Sequence, residues 1–202
     1  MNEHYFSPQP SSEKRYKREV SICGTTYHVS TSAGVFSAGG LDKATAVFLD
    51  KVPLDALPEG AHVLDVGCGW GPLSLALAQN YPQSQLWATD TNAQARALTR
   101  ENLQNAGFSA NVCSPEEAFA SLAPASVDLI WSNPPIRIGK TALHELLLDN
   151  LRLLKAEGHA YLVVGKNLGA DSLRAWLRTQ GYECEKIGSS KGFRVLSVCP
   201  QQ

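Results

Sequence analysis

The sequence feature that most constrains this chain is a short apolar run that ends in an acid and then breaks into three alternating glycines (residues 63–71, VLDVGCGWG). This pattern predicts a buried parallel strand, a tight turn and the start of a helix. Glycine lets a backbone turn sharply and approach a ligand closely, and the first N–H groups of a helix are open to a negatively charged ligand group. We therefore expect a cofactor loop, with Asp65 orienting the turn or meeting an amino group of the cofactor. The loop residues expected at the cofactor are Gly67, Cys68 and Gly69.

A second acid, Asp90, ends the next apolar run about twenty residues after the loop. A carboxylate in this place accepts hydrogen bonds from both hydroxyls of a ribose, a group that NAD and S-adenosylmethionine share. The Gly-x-Gly-x-x-Gly spacing of dinucleotide-binding enzymes does not occur in the sequence, which argues against NAD. Thr91 and Asn92 are expected beside the adenosine, and Asn92 also suits the N-cap of a helix.

A third landmark is Asn133-Pro134-Pro135, directly after a predicted strand. The order of the three landmarks resembles that of class I S-adenosylmethionine-dependent methyltransferases, whose first motif is similar to the glycine loop. Asn-Pro-Pro resembles the fourth motif of the members that methylate planar nitrogen. The resemblance implies S-adenosyl-L-methionine as the cofactor and a catalytic role for this turn. Its expected catalytic residues are Asn133, Pro134, Pro135 and Ile136, with Asn133 also next to the cofactor.

These residue types suit methylation of a base amine. The lone pair of an exocyclic amine is delocalised into its ring, which makes the amine a poor nucleophile. The Asn133 side-chain oxygen and the Pro134 carbonyl are acceptors that can hold both N–H bonds, aim the lone pair and offset the developing positive charge. Two prolines fix this backbone, and Ile136 offers an apolar face to the base. The alternative interpretation is a rigid turn at the end of a strand, with Asn133 as its Asx residue.

The resemblance covers almost the whole chain and includes its N-terminal part. Residues 4–7 (HYFS), 34–37 (GVFS) and 42–43 (DK) are similar to the stand-alone methyltransferase small domain proteins. Those proteins resemble the catalytic half of the 16S ribosomal RNA guanine-N2 methyltransferases, which implies guanine N2 of small-subunit ribosomal RNA as the substrate. The resemblance also implies further residues near the cofactor, namely Phe36, Ser37, Cys113 and Ser114.

Three other functions stay open from the sequence alone. The Asn-Pro-Pro motif also serves methylation of adenine N6 in RNA or DNA and of a glutamine amide in protein. A second alternative is an NAD-dependent oxidoreductase. A third is an interaction module that binds the cofactor without catalytic activity.

Strands alternate with helices after the first 58 residues, which predicts right-handed crossovers and a parallel sheet. With the resemblance, this implies an α/β, Rossmann-like class I methyltransferase fold. Its sheet has seven mostly parallel strands with an antiparallel C-terminal strand, and helices cover both faces. The predicted strands are 61–66, 85–90, one ending at 113, 127–132, 159–165, 183–187 and 193–199. The predicted helices are 72–80, 92–105, a short one after Ser114, a long one with the leucine stripe 143, 147, 151 and 154, and one around 173–177.

The N-terminal part has a different pattern. Residues 1–17 are polar and are expected to form an extended arm, and a β-hairpin is expected around Gly24-Thr25. Helix signals run from Leu41 to about Lys51. We therefore predict an N-terminal arm, hairpin and helix over residues 1–58, packed on a methyltransferase domain over residues 59–202.

The formal net charge of −1 argues against a protein that coats nucleic acid, but the charge is unevenly distributed. Acidic side chains outnumber basic ones in residues 46–130, and the reverse holds in residues 131–202. One positive face could therefore bind ribosomal RNA or the small ribosomal subunit, although a solvated face without function explains the pattern nearly as well. The candidate phosphate contacts are Lys14, Arg15, Lys17, Arg18, Arg137, Lys140, Lys191 and Arg194.

The remaining composition indicates an ordinary globular protein, with 44% apolar residues. Five scattered cysteines suit neither a disulfide framework nor a zinc site, and the five histidines have no metal-ligand spacing, so no metal is expected. The N-terminus lacks the pattern of a signal peptide and no apolar run approaches membrane-spanning length. We therefore expect a cytoplasmic protein without a membrane partner; the sequence does not indicate the oligomeric state.

Overall fold

The computed structural model of the protein describes residues 14–135 and 138–201. The strands are β1 (Arg15–Ile22), β2 (Thr25–Ser32), β3 (His62–Val66), β4 (Gln85–Thr89), β5 (Asn111–Cys113), β6 (Val127–Ser132), β7 (Leu154–Gly165), β8 (Tyr182–Ser190) and β9 (Phe193–Pro200). The helices are α1 (Lys43–Lys51), α2 (Pro72–Asn80), α3 (Ala93–Asn105), α4 (Pro115–Ser121), α5 (Lys140–Leu151) and α6 (Ala170–Thr179). A 3-10 helix, Lys166–Leu168, joins β7 to α6.

Strands β3 to β9 form one sheet in the order β5-β4-β3-β6-β7-β9-β8. Neighbouring strands from β5 to β7 pair in parallel, whereas β9 is antiparallel to both β7 and β8. The prediction of seven mostly parallel strands with an antiparallel C-terminal strand is confirmed. Because parallel strands all end at the same edge, the segments that follow β3, β4, β5 and β6 meet there.

Apolar side chains pack on both faces of the sheet. Along β6, Trp131 contributes to one cluster and Ile130 to the other, as the two-residue period of a strand requires. Helices α1, α2 and α3 cover the Trp131 face, and α4, α5 and α6 cover the Ile130 face. The N-terminal part belongs to the first cluster, since Phe48 of α1 meets Trp131 edge to face at a ring-centroid distance of 5.2 Å. The division between residues 1–58 and 59–202 remains a proposal.

The long helix and the strand after it differ from the prediction. Helix α5 ends at Leu151, and Leu154 begins β7 opposite Val127 instead of continuing the helical stripe. Strand β7 therefore starts five residues earlier than the predicted His159. A bulge in the β6–β7 pairing lies in this segment. It interrupts the alternation of apolar and polar residues that would otherwise have indicated a strand in the sequence.

The N-terminal hairpin is longer than predicted. Strand β1 begins at Arg15 and pairs with β2 along its whole length, so residues 15–17 are not part of an extended arm. The turn lies at Cys23-Gly24, whose positive φ angles of 47° and 80° suit a two-residue hairpin turn. The prediction had placed this turn one residue later. Residues 1–13, including the predicted motif at 4–7, lie outside the described residues.

Candidate active site

The three sequence landmarks meet at one edge of the sheet because the residues just before them are paired. Val66, the last residue of β3, is opposite both Thr89 of β4 and Ser132 of β6. The Ser132 hydroxyl also donates to the Val66 carbonyl at 2.7 Å. Asp90, Gly67 and Asn133 therefore follow three neighbouring strands, β4, β3 and β6, and Gly67 lies between the other two. Neighbouring strands lie about 4.8 Å apart, which is the lateral spacing of this site.

The glycine loop turns through left-handed backbone angles, with φ of 78° at Gly67 and 58° at Gly69. The N–H groups of Gly67 and Cys68 both donate to the Thr89 carbonyl, at 2.8 and 2.9 Å. A Cβ atom at Gly67 or Gly69 would meet no atom within 4 Å, so the space above the loop is open. The backbone of the loop is therefore hydrogen-bonded to the end of β4, and its glycines remain accessible to a ligand at the edge where the strands end.

Asp65 is completely buried beneath this loop, and its Oδ2 atom accepts a hydrogen bond from the Ser74 hydroxyl at 2.5 Å. Burial raises the pKa of the Asp65 carboxyl to about 7, although the Ser74 hydroxyl and backbone N–H favour the ionised form. The Oδ1 atom of Asp65 is buried and has no hydrogen-bond partner among the described residues.

Asp90 is anchored by backbone donors on both of its oxygens. Its Oδ2 atom accepts from the Gly69 N–H at 3.0 Å, and its Oδ1 atom accepts from the Asn92 N–H at 2.8 Å. Each carboxylate oxygen has a second lone pair, so Asp90 can still accept bonds from a ligand. Thr91 is exposed beside it, and its carbonyl accepts from the Arg96 guanidinium at 3.1 Å.

Asn92 links this region to the loop between β2 and α1. Its side chain caps α3 by accepting from the Gln94 N–H, and its Nδ2 atom donates to the Gly34 carbonyl at 3.1 Å. Phe36, two residues further along that loop, is 70% exposed, and Ser37 adopts a positive φ of 60°. The structure thus brings the loop carrying Phe36 and Ser37 to the Asp90 side of the edge.

Cys113 ends β5 opposite Thr89, which puts it on the far side of Asp90 from the glycine loop. Its thiol is half-buried, and burial raises the pKa of that thiol. Ser114 follows, and its hydroxyl accepts from the Glu117 N–H at 3.3 Å in a capping box that starts α4. The Ser114 side chain therefore has a structural partner already.

Asn133 is half-buried at the end of β6 and is hydrogen-bonded to α1. Its Nδ2 atom donates to Thr45 Oγ1 at 3.1 Å and to Asp42 Oδ1 at 3.4 Å. Its Oδ1 atom receives no hydrogen bond from residues 14–135 or 138–201. Asp42 and Thr45 were not predicted as site residues, because nothing local in the sequence connects a helix N-cap to a turn 91 residues away. Pro134 is buried, Pro135 is exposed, and Ile136 lies outside the described residues.

The candidate phosphate contacts divide into paired and unpaired cations. Arg15 and Lys17 both contact Glu101, at 2.9 and 3.5 Å, and Arg194 is ion-paired with Asp171. Four others have no carboxylate partner among the described residues, and Arg137 lies outside them. Those four are Lys14 and Arg18, which flank the ring of Tyr16, and the exposed Lys140 and Lys191.

Lys166 is a further exposed cation at the same edge that the sequence analysis did not select. It follows β7 directly, and its backbone N–H donates to the Gly192 carbonyl at 2.8 Å. This bond places Lys166 next to the β8–β9 turn that carries Lys191. Only the strand order brings the two together, since β9 returns between β7 and β8.

Within residues 14–135 and 138–201, no three His, Cys, Asp or Glu side chains are grouped as metal ligands. In the same part of the chain, every helix is too short or too polar to cross a membrane. A surface cavity of about 430 Å³ near Tyr81, Asp128 and Tyr161 lies at the opposite end of the parallel strands, away from the landmarks.

The residues at the edge fit S-adenosylmethionine in three respects. Asp65 Oδ1 is a buried acceptor without a partner, Asp90 is a carboxylate with spare lone pairs, and the backbone at Gly67 and Gly69 has open space above it. These features match an amino group, a ribose and a close ligand contact, respectively.

Comparison with known proteins agrees with this geometry. Residues 26–197 match the family described as "Methyltransferase small domain". The chain is 28% identical over 200 residues to the uncharacterized protein YbxB of Bacillus subtilis (strain 168), covering 98% of each chain. It is 36% identical over 197 residues to ribosomal RNA small subunit methyltransferase C of Pseudomonas entomophila (strain L48), covering 96% of this chain and 57% of that protein.

A similar solved structure is the T. thermophilus 16S rRNA N2 G1207 methyltransferase (RsmC) in complex with AdoMet and guanosine. The TM-score is 0.73 at 22% sequence identity, and the match covers 96% of this chain and 52% of that one. The chain thus spans about half the length of the methyltransferase C relatives that it matches. The likeness in structure supports the Rossmann-like methyltransferase fold.

Proposed function

Because this chain belongs to the methyltransferase small domain family, we propose that it methylates an exocyclic base amine of RNA, namely guanine N2 of 16S ribosomal RNA. The observation that carries the proposal is the Asn133 side chain. Its NH2 group is bonded to α1, and its oxygen accepts no hydrogen bond from the described residues at the edge that Gly67 and Asp90 share.

The chain is an S-adenosylmethionine-dependent methyltransferase, which excludes the NAD-dependent oxidoreductase considered from the sequence. When bound, S-adenosylmethionine supplies an electrophilic methyl group on its sulfonium sulfur. We assign the ribose hydroxyls to Asp90 and the amino group to Asp65 Oδ1. The remaining residues proposed around the cofactor are Phe36, Ser37, Gly67, Cys68, Gly69, Thr91, Asn92, Cys113, Ser114 and Asn133.

The Asn133 Oδ1 atom and the Pro134 carbonyl are proposed to accept the two N–H bonds of the target amine. Holding both N–H bonds aims the nitrogen lone pair in one direction and offsets the positive charge that develops on nitrogen. The methylated amine then loses a proton to water, so no strong general base is needed. Pro134 and Pro135 keep the two acceptors in place because proline restricts the backbone.

The target base is expected to be unpaired or flipped out of its stack. A paired guanine uses its N2 amine in base pairing and cannot reach acceptors at the end of a strand, and extruding a stacked base costs a few kcal/mol. The exposed ring of Phe36 offers a surface for stacking. The guanosine named with the T. thermophilus relative supports guanine as this base.

We further propose that Lys140, Lys166 and Lys191 contact phosphates that flank the target. All three are exposed. Lys166 and Lys191 directly follow β7 and β8, which end at the active-site edge, and Lys140 begins the helix that comes after β6. Phosphate contacts fix the register of an RNA without reading its sequence. Lys14 and Arg18 stay as candidates on the hairpin, whereas Arg15, Lys17 and Arg194 already have carboxylate partners.

The test is methyl transfer from labelled S-adenosylmethionine to purified 16S ribosomal RNA and to assembled small subunits. Nucleoside mass spectrometry is expected to detect N2-methylguanosine with the wild-type chain and to show it forming more slowly, by roughly 10²-fold or more, with Asn133→Ala. Label appearing as N6-methyladenosine or in ribosomal protein would refute the guanine assignment in favour of the other planar nitrogens. Absence of any label, with intact cofactor binding, would favour the silent interaction module.

A further inference from the structure

We propose that Asp42 and Thr45, at the start of α1, are positioning residues that fix the direction of the Asn133 carboxamide. Neither residue is proposed to touch the substrate or the cofactor; both act through Asn133. Only the expected effect of these two residues on turnover rests on the proposed function. The orientation itself depends only on the hydrogen bonds between α1 and the end of β6.

Asp42 is held rigidly by its own helix. Its Oδ1 atom accepts from the N–H groups of Ala44 and Thr45, at 2.9 and 3.1 Å, and so caps α1. Its Oδ2 atom accepts from the Thr45 hydroxyl at 2.5 Å. The carboxylate therefore has three fixed donors from α1 before Asn133 is considered.

The Thr45 hydroxyl can face Asn133 only as an acceptor. A hydroxyl has one hydrogen, and that of Thr45 is donated to Asp42. Ionised Asp42 has no hydrogen to donate either. Both atoms near the Asn133 amide nitrogen, at 3.1 and 3.4 Å, are thus acceptors. Rotating the carboxamide by 180° would replace two hydrogen bonds with two oxygen–oxygen repulsions, so one orientation is selected.

Helix α1 is attached firmly to the strand that carries Asn133. Thr45 is 2% exposed, and Phe48 packs on Trp131, two residues before Asn133, with ring centroids 5.2 Å apart. Because protein interiors are close-packed, this contact fixes the position of α1 relative to β6. The N-terminal part of the chain therefore completes the active site instead of only covering the sheet.

The fixed carboxamide gives the active site a defined chemical preference. With the NH2 group bonded to α1, only an oxygen acceptor faces the substrate side. An acceptor suits an N–H donor such as a base amine or an amide, and it gives no hydrogen bond to a carbonyl or a deprotonated oxygen. Asp42 and Thr45 thus help to determine which nucleophiles Asn133 can hold.

The first test uses three conservative variants. Asp42→Asn keeps an N-cap of equal preference when its oxygen stays on the Ala44 and Thr45 N–H groups, so its new NH2 group takes the Oδ2 position and donates to the Thr45 hydroxyl. The hydrogen of that hydroxyl is then free to be donated to Asn133 Oδ1, which favours the flipped carboxamide. Thr45→Val keeps the shape and removes the hydroxyl, and Thr45→Ser restores the hydroxyl. We expect kcat to fall roughly tenfold to a hundredfold in Asp42→Asn and Thr45→Val, on the scale of a misplaced catalytic dipole. Thr45→Ser should recover most of the wild-type kcat, and all three should retain S-adenosylhomocysteine affinity.

A second measurement reads the orientation without any RNA. The Asn133 side-chain NH2 signal is identified in a ¹⁵N NMR spectrum by its loss in Asn133→Ala. In the wild type and Thr45→Ser, hydrogen bonding should slow exchange of these protons with water. In Asp42→Asn and Thr45→Val, exchange should be several-fold faster.

The outcomes separate this inference from the proposed function. Slow exchange in all variants, together with wild-type kcat in Asp42→Asn and Thr45→Val, would overturn the positioning role while methylation of guanine stands. A wild-type chain that methylates no RNA would refute the proposed function, and the exchange rates would still decide the orientation.

Discussion

The carboxyl of Asp65 and the hydroxyl of Ser74 meet in a buried hydrogen bond of 2.5 Å between the end of β3 and the first turn of α2. The bond joins the two elements on either side of the glycine loop. It does not compensate for the burial of the acid, since the pKa of Asp65 is raised to about 7. The loop is therefore built over a carboxyl group that is neutral in mildly acidic solution.

The first prediction concerns the pH dependence of folding. The folded pKa of Asp65 is raised above its ordinary value of 3.8, so its contribution to stability is present at low pH and is lost as pH rises toward 7. We expect Asp65→Asn to gain stability relative to the wild type across this range and to level off above it. The difference between a pKa of 3.8 and one of about 7 corresponds to a gain in unfolding free energy of the order of 4 kcal/mol for Asp65→Asn. Urea unfolding at several pH values measures the difference.

Ser74→Ala is the matched control for this prediction. Removing the hydroxyl takes away a group that favours ionised Asp65, so the wild type should lose less stability between pH 4 and 7 than Ser74→Ala does. A stability difference between wild type and Asp65→Asn that is the same at pH 4.5 and pH 8 would show that Asp65 does not titrate in this range.

The second prediction concerns cofactor affinity. Asp90→Ala removes the acceptor proposed for the ribose and leaves the Gly69 N–H without its partner. We expect S-adenosylhomocysteine binding to weaken by ~1–3 kcal/mol, the cost of leaving buried polar groups unpaired. Isothermal titration calorimetry measures it. Glu157→Ala, an exposed acid near the opposite end of β7, serves as control and should bind normally; equal affinities in the two variants would contradict the ribose assignment.

The third prediction separates binding from chemistry at Asn133. Asn133→Ala should fold and bind S-adenosylhomocysteine nearly as well as the wild type, because the acceptors proposed for the ribose and the amino group, Asp90 and Asp65, are retained. Turnover should fall by roughly 10²-fold or more, as when a preorganised polar group is removed from an active site. Single-turnover methyl transfer measures this loss. Full activity in the variant would mean that Asn-Pro-Pro is only a structural turn.

The fourth prediction concerns RNA affinity at different salt concentrations. Each phosphate contact with single-stranded RNA contributes about 0.7 to the slope of log affinity against log salt. The double variant Lys166→Gln, Lys191→Gln should therefore lower this slope by roughly 1.4. The matched variant Arg15→Gln, Lys17→Gln should lower the slope less, since both cations already contact the carboxylate of Glu101. The reverse result would assign RNA binding to the hairpin instead of the β8–β9 turn.

The fifth prediction compares two glycines with similar backbone angles. Gly71 and Gly107 have φ of 97° and 81°, which costs another residue roughly 1–2 kcal/mol. A Cβ atom on Gly71 would also lie 3.2–3.3 Å from Thr99, whereas one on Gly107 would meet nothing. Gly71→Ala should thus destabilise the chain more than Gly107→Ala in thermal unfolding. Equal losses would mean that Thr99 can move aside.

The sequence alone predicted the architecture around the site because the relevant signals are local. An apolar run followed by glycines and a helical period can specify only a strand, a turn and a helix, and His62–Val66 and Pro72–Asn80 form as expected. Repetition of this unit implies a parallel sheet, whose strands end at one edge. The meeting of Gly67, Asp90 and Asn133 at that edge followed from this topology.

Pattern reasoning failed where pairing across the sheet decided the structure. Leu154 fits the helical stripe of α5 but joins β7, since its backbone pairs with Val127. Arg15 and Lys17 read as part of a polar arm but lie in β1, where β2 and Glu101 hold them. In each case, the deciding partner is distant in sequence.

What the sequence by itself determined is the architecture of the fold, because strands, turns and helices depend on residue types at short spacings, whereas the cofactor was implied by the resemblance to a methyltransferase family. The tertiary structure decided how the landmark residues are tuned. Burial raises the pKa of Asp65, and α1 orients Asn133 through Asp42 and Thr45. Burial and hydrogen-bond partners arise only when distant segments pack together, so no local pattern in the chain can encode them.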